Sequence, residues 1–200
     1  MIDLLARRRE MMGASGGSLP YDAQVEYLKG DGHAYIDLGT KGNLNTIIYV
    51  ECETPSEGTY QCIAGSRSSN TNAITLIYGH NQSNAWRFGA KTASVSLSDD
   101  TSYIIQMDKN GVTVNGSTTS YSQTASFTTE KNLQVFFAGN IGLSKFTGMV
   151  RAFKLYDSAQ LVIDLIPVRV GTTGYMYDRV SGTLFGNAGT GDFILGNDKN

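Results

Sequence analysis

A chain of 200 residues is long enough for one large β-sandwich and needs no second core. Charged residues make up 17% of it and the formal net charge is −2, so no broad basic surface exists to neutralise many phosphates, and nucleic acid is excluded as a main partner. The 23 glycines, with abundant Ser, Thr and Asn, favour short strands and tight turns over long helices. No apolar run reaches about 18 residues, which leaves no transmembrane helix and no membrane partner.

The chain opens with Ile2, Leu4, Leu5 and Met12 around a charge cluster of Arg7, Arg8, Arg9 and Glu10, followed by GASGGS at 13–18. The arginines come after the apolar residues and no apolar stretch succeeds them, so this is not a secretory signal. It reads as an assembly arm with a flexible linker over 1–19, ahead of a domain over 20–200.

From Tyr21 the period changes to two. VEYLKGDGHAYIDLG (25–39) predicts a strand pair around a turn at residues 29–32. TIIYVECE (46–53) sets Ile48, Val50 and Cys52 on one face and Tyr49, Glu51 and Glu53 on the other. A turn at 55–58 would join it to a partner strand at 62–65, bringing Cys52 and Cys62 within reach across a hairpin. Without an export signal, two reduced and buried thiols are expected.

AITLIYG (73–79) and AWRFGAK (85–91) bracket the polar HNQSN, predicting a hairpin. TSYIIQMD (101–108), the Asn110-Gly111 turn and VTVNG (112–116) predict another, and LQVFFAGN (133–140) and FTGMVRAFKLYD (146–157) supply two more strands. Roughly ten to twelve strands in all point to an all-β, two-sheet antiparallel β-sandwich, of jelly-roll type. The glycine-rich stretch 171–191 lacks the phosphate-loop pattern and is expected as a loop tied down by Tyr175, Tyr177 and Phe185, whose aromatics would cover an open edge or another copy of the chain.

Hydrolases on such a sandwich need two carboxylates flanking a glycosidic bond. The nearest candidates, Glu51 and Glu53, fit two solvated groups on one strand face better than a catalytic pair. The two histidines, His33 and His80, lie at loops or strand ends, far from any nucleophile elbow, so no catalytic residue is assigned and the chain is not read as an enzyme. Asp99 and Asp100, and Asp192 with Asn187, have the donor chemistry for calcium, yet turn residues bonding their own backbone explain them as well; no metal and no cofactor is assigned. For glycan binding, an aromatic plane beside amides is the useful feature. The hairpin at 78–87 offers Tyr78, His80, Asn81, Asn84, Trp86 and Arg87, although Trp86 and Phe88 share one strand face and Trp86 fits the core equally well.

The order of motifs resembles laminin-G-like and concanavalin A-like lectin domains over about residues 25–160: a strand ending Y-I-D-L-G (35–39), the strand beginning at Thr46, the Asn110-Gly111 turn with V-x-V-N-G after it, and a closing F-x-G-x-V-x-x-F-K-L-Y-D run (146–157). The segment 164–196, the Arg-rich start and the L-P-x-x-x-x-V-E-Y-L opening (19–28) resemble laminin-G-like proteins of phages and prophages of gut bacteria. That resemblance implies a non-enzymatic virion protein of a tailed phage, a fibre or capsid decoration made in the bacterial cytoplasm. It would be held by its arm to other virion proteins, assembled as a homo-oligomer, and would display a lectin-like domain to host or mucosal glycans. A bacterial carbohydrate-binding module and a diverged glycoside hydrolase are the alternatives.

Overall fold

The computed structural model describes residues 18–56, 60–79, 85–139 and 144–199. The assembly-arm residues Ile2, Leu4, Leu5, Arg7, Arg8 and Arg9 lie outside the described residues, as do His80, Asn81 and Asn84. The described residues form strands and no helix, and none of their segments is a helix long and apolar enough to cross a membrane.

In chain order the strands are β1 (Ala23–Gln24), β2 (Leu28–Lys29), β3 (Ile36–Asp37), β4 (Thr46–Glu53), β5 (Gln61–Arg67), β6 (Ala73–Tyr78), β7 (Ala85–Phe88), β8 (Lys91–Ser94) and β9 (Ser102–Asp108). There follow β10 (Gly111–Val114), β11 (Ser117–Ser120), β12 (Gln134–Val135), β13 (Ser144–Lys145), β14 (Met149–Asp157), β15 (Gln160–Val170), β16 (Thr173–Asp178), β17 (Leu184–Phe185) and β18 (Ile194–Leu195). The main sheet runs β11-β10-β9-β4-β14-β15-β16-β17, with β1 on β15 and β2 bridging β14 and β18. The second runs β3-β12-β5-β6-β7-β8, with β13 joining β5 in parallel.

The chain is therefore an all-β two-sheet sandwich, and the period-two alternation states why. In β4, Thr46, Ile48, Val50 and Cys52 are buried while their neighbours are half-exposed. Their inward face meets Ile74, Leu76, Trp86 and Phe88 of the second sheet in one core cluster with Phe136, Phe146 and Phe153. In β14 the alternation breaks once. A bulge against β4 between Val150 and Ala152 lets Val150 and Phe153, three residues apart, both face inward.

Three sequence expectations are corrected. Residues 25–39 do not form a hairpin, because β2 pairs with β14 and β18 in the main sheet while β3 pairs with β12 in the second. The turn after β4 likewise crosses between sheets: β4 lies between β9 and β14, and β5 lies between β12 and β6. Cys52 and Cys62 thus sit in different sheets as free, buried thiols, and burial pushes the Cys52 thiol up to about 12 and Cys62 higher still. Finally, the 171–191 stretch is not a loop, since β16 and β17 extend the main sheet from within it. Tyr175 and Tyr177 are half-exposed there while Met176 and Gly174 face inward.

The β16–β17 turn is held by Asp178, whose carboxylate accepts the amides of Asp164 (2.8 Å), Val180 (3.1 Å) and Ser181 (3.1 Å) and the Ser181 hydroxyl (2.6 Å). Burial pushes its pKa up, but these donors outweigh it and leave the carboxyl below its ordinary value. A depressed carboxylate adds stability above its unfolded pKa and loses it as pH falls through the folded one. Asp178→Asn should therefore lower the urea midpoint at neutral pH, with the gap to wild type closing as the pH is brought down to about 3. A gap that stays constant with pH would show that the charge is not what holds the turn.

Candidate functional site

The aromatic hairpin does not assemble the site its composition suggests. Trp86 and Tyr78 are both 0% exposed, because the β7 face that carries Trp86 and Phe88 is the one turned to the core. Tyr78 donates its hydroxyl to the carbonyl of Pro55 (3.0 Å) and to the Asp99 carboxylate, so the ring and its polar tip are both occupied. Neither can stack on a sugar, which corrects the sequence expectation for these two residues. Arg87 alone is half-exposed, on the opposite face of its strand.

The other acidic candidates have structural partners. Glu51 accepts the Tyr49 hydroxyl (2.6 Å), and Glu53 accepts the Ser102 hydroxyl (3.0 Å) and the Arg151 guanidinium (2.5 Å). Asn187 accepts the amides of Tyr35 (3.1 Å) and Gly189 (2.7 Å) and donates to the Gly191 carbonyl, while the backbone of Asp192 donates to Asp31 (2.8 Å). The Asn187 bonds to Gly189 and Gly191 are local turn anchors, while those joining Asn187 to Tyr35 and Asp31 to Asp192 tie the 187–192 segment to the 31–35 loop. Among the described residues no group of three or more His, Cys, Asp or Glu side chains is arranged to hold a metal ion.

A cleft of about 320 Å³ opens where four chain segments meet at one end of the main sheet. Register builds it: Lys29 faces Met149, Met149 faces Glu53, and Glu53 faces Ser102, so the ends of β2, β14, β4 and the start of β9 lie side by side. Asp31, Asp100, Thr147 and Gly148 are also in the lining, beside Gly30 and the 54–56 turn. Two glycines are required by close approach. A Cβ on Gly30 would lie 1.9 Å from the Phe146 carbonyl oxygen, and one on Gly148 2.2 Å from that of Glu53. Gln61 of the second sheet fixes the wall by accepting the Thr147 amide (2.9 Å) and donating to its hydroxyl (3.0 Å).

The electrostatics of the cleft suit hydrogen bonding. The Ser102 hydroxyl and then Arg151 hold Glu53 below the usual carboxylate range. Burial raises Asp31, but the amides of His33, Ala34 and Asp192 more than offset it. A general acid needs the reverse, a carboxyl held protonated by an apolar or like-charged neighbourhood. Ionised carboxylates beside a lysine and exposed backbone instead offer acceptors and a donor to a hydroxyl-rich molecule. The volume lies at the lower end of the range for small-ligand sites.

No family model matches the chain, and no curated protein matches it. The cleft was not visible in the sequence, because its four walls, 29–31, 53–56, Asp100 and 147–149, are far apart there and only strand register brings them together. The one usable signal was Lys29-Gly30-Asp31-Gly32, a polar, glycine-flanked turn. With Trp86 in the core, Trp86→Ala should cost about 3–5 kcal/mol of folding stability. Chemical denaturation measures this; a loss under about 1 kcal/mol would return the ring to the surface.

Proposed function

We propose that the chain is a non-catalytic, laminin-G-like jelly-roll domain that binds a glycan in the cleft bounded by Lys29, Asp31, Glu53 and Asp100. Residues 1–19 would attach it to the virion of a tailed phage as a fibre or capsid-decoration protein, in several copies. The observation that carries the binding reading is the cleft itself: polar, open, and lined by carboxylates held ionised rather than protonated. Sugar hydroxyls pair with such acceptors, and the rigid strands behind them keep the acceptors in place. The laminin-G-like reading is supported by the motif order of residues 25–160, and the virion context by the resemblance of the Arg-rich start, 19–28 and 164–196 segments to phage and prophage proteins.

A glycan array with the full chain tests the cleft. Asp100 sits at φ 43, a conformation glycine adopts without strain, so Asp100→Gly removes the side chain alone. Combined with Lys29→Ala it should reduce binding roughly tenfold, the worth of one or two charge-assisted hydrogen bonds, while the melting temperature changes little. Binding that survives both substitutions would move the site elsewhere, and polysaccharide turnover by the wild type would replace the reading with a hydrolase.

Among the described residues the core cluster runs from Val25 to Phe193, and on the proposed reading a chain beginning at Leu19 should melt within a few degrees of the full chain yet fail to join particles. A collapse of its melting temperature would make the arm part of the fold. Equal incorporation into particles with and without the arm would remove the arm's attachment role, and incorporation of neither chain would favour a bacterial carbohydrate-binding module.

A further inference from the structure

The second sheet carries a cross-strand row that the core does not use. Register places Gln134 opposite Gly65, Gly65 opposite Thr75, Thr75 opposite Arg87 and Arg87 opposite Thr92. Directly opposed residues share a face, and Trp86 and Phe88 on either side of Arg87 face the core, so this row lies on the face turned away from it; Gln134, Gly65 and Thr75 are buried there, while Arg87 is half-exposed and Thr92 exposed. Arg67, two residues beyond Gly65, joins it. Gly65, in the middle, is buried and adds no side chain to the row.

Both guanidinium groups converge on Asn70, in the turn between β5 and β6. Nη2 of Arg67 donates to the Asn70 Oδ1 (2.6 Å) and Nη1 of Arg87 to its carbonyl oxygen (3.4 Å). The described ion pairs belong to Arg151, Arg169 and Arg179, so neither Arg67 nor Arg87 has a carboxylate partner among the described residues. On the same face, Thr75 is 0% exposed and its Oγ1 has no hydrogen-bond partner. Burial, and next the neighbouring Arg67, push the pKa of Arg87 below its ordinary value, as expected for like charges held together without a counter-charge.

We infer that this row is an oxyanion site that takes a carboxylate or sulfate group between Arg67 and Arg87, with the Thr75 hydroxyl as a further donor. A guanidinium fork matches either group through two parallel hydrogen bonds, which a lysine would not do. Gln134 lies two strands from Thr75, and its buried Oε1 also has no partner, which offers an acceptor to a hydroxyl of the molecule bearing the acid group. The residues are distinct from those of the cleft, and the site stands whether or not the cleft binds a glycan.

The full chain is titrated with sodium sulfate and with sodium glucuronate against sodium chloride at matched ionic strength, followed by amide NMR and thermal unfolding. At least one oxyanion should bind saturably, with shifts centred on Thr75, Arg67 and Arg87. Glucuronate alone would identify a carboxylate ligand, and sulfate alone a sulfate ester. Arg67→Gln with Arg87→Gln should weaken binding roughly tenfold or more. In oxyanion-free buffer that variant should melt no lower than the wild type, because two like charges have been separated from their site. Thr75→Val, which keeps the side-chain shape, should weaken binding severalfold. Equal responses of wild type and paired variant, or no saturation above chloride, would overturn the site. If the paired variant does not fold, the wild-type map decides: shifts centred away from Thr75 and the two arginines overturn it as well. Neutral-glycan binding in the cleft should not respond to these substitutions, so the two sites fail or stand separately.

Discussion

The constraint on which most of this molecule depends is the bulge in β14. Strict alternation would turn Val150 and Phe153 to opposite faces, and one of two large apolar groups would be left in water. One extra residue against β4 restores both to the core and re-aims the residues between them. Arg151 then reaches Glu53 across the strand pair, with its guanidinium also over the Tyr27 ring at 5.5 Å. The same strand is hydrogen-bonded along β4 on one side and β15 on the other, so its register sets that of the main sheet.

That register is what brings the cleft together. β2 is only two residues long, yet it sits between β14 and β18 because Leu28 is opposite both Val150 and Leu195. Its next residue, Lys29, is thereby delivered to the end of the sheet where Glu53 ends β4. The last strand, β18, thus pairs with the second, β2, and Gly196 and Asn197 are bonded to Tyr27 and Glu26. Residues near the two ends of the described chain are parts of one sheet, which is why the segment after 164 belongs to the fold rather than hanging from it.

Much of the architecture was legible because alternation reports which face of a strand is buried. TIIYVECE, the 73–91 hairpin and the Asn110-Gly111 turn were all readable on that ground. Alternation does not report which strand is the neighbour, and so β4 was given to β5, its successor in sequence, instead of to β9 and β14. Nor does it say which of two faces is the inner one in a short strand: AWRF places Trp86 and Arg87 on opposite sides, and only the packing of the second sheet decides that tryptophan goes in. In the 164–196 segment the alternation of Gly174, Tyr175, Met176 and Tyr177 was present but lay among glycines and threonines that equally suit a loop. The row was partly visible, since Arg87 interrupts the apolar run AWRF; Arg67, set among Gly65, Ser66 and Ser68, gave no such signal, and the alignment of Thr75 with Arg87 depends on strand register.

The acidic and basic side chains follow opposite rules in this fold. Asp31, Glu53 and Asp178 are each surrounded by donors that hold the negative charge in place, so they are fixed parts of turns and walls. Arg67 and Arg87 are held near one another with only an amide and a carbonyl between them. With a net charge of −2 the chain as a whole does not draw anions from a distance, and at physiological salt a surface field decays within about 8 Å. The arginine pair therefore acts at contact range, where the spacing and planarity of two guanidinium groups discriminate. A spherical ion can satisfy one fork at a time. A group with two or three oxygens can satisfy both and still accept from a hydroxyl, so the selectivity of this face is set by geometry more than by charge.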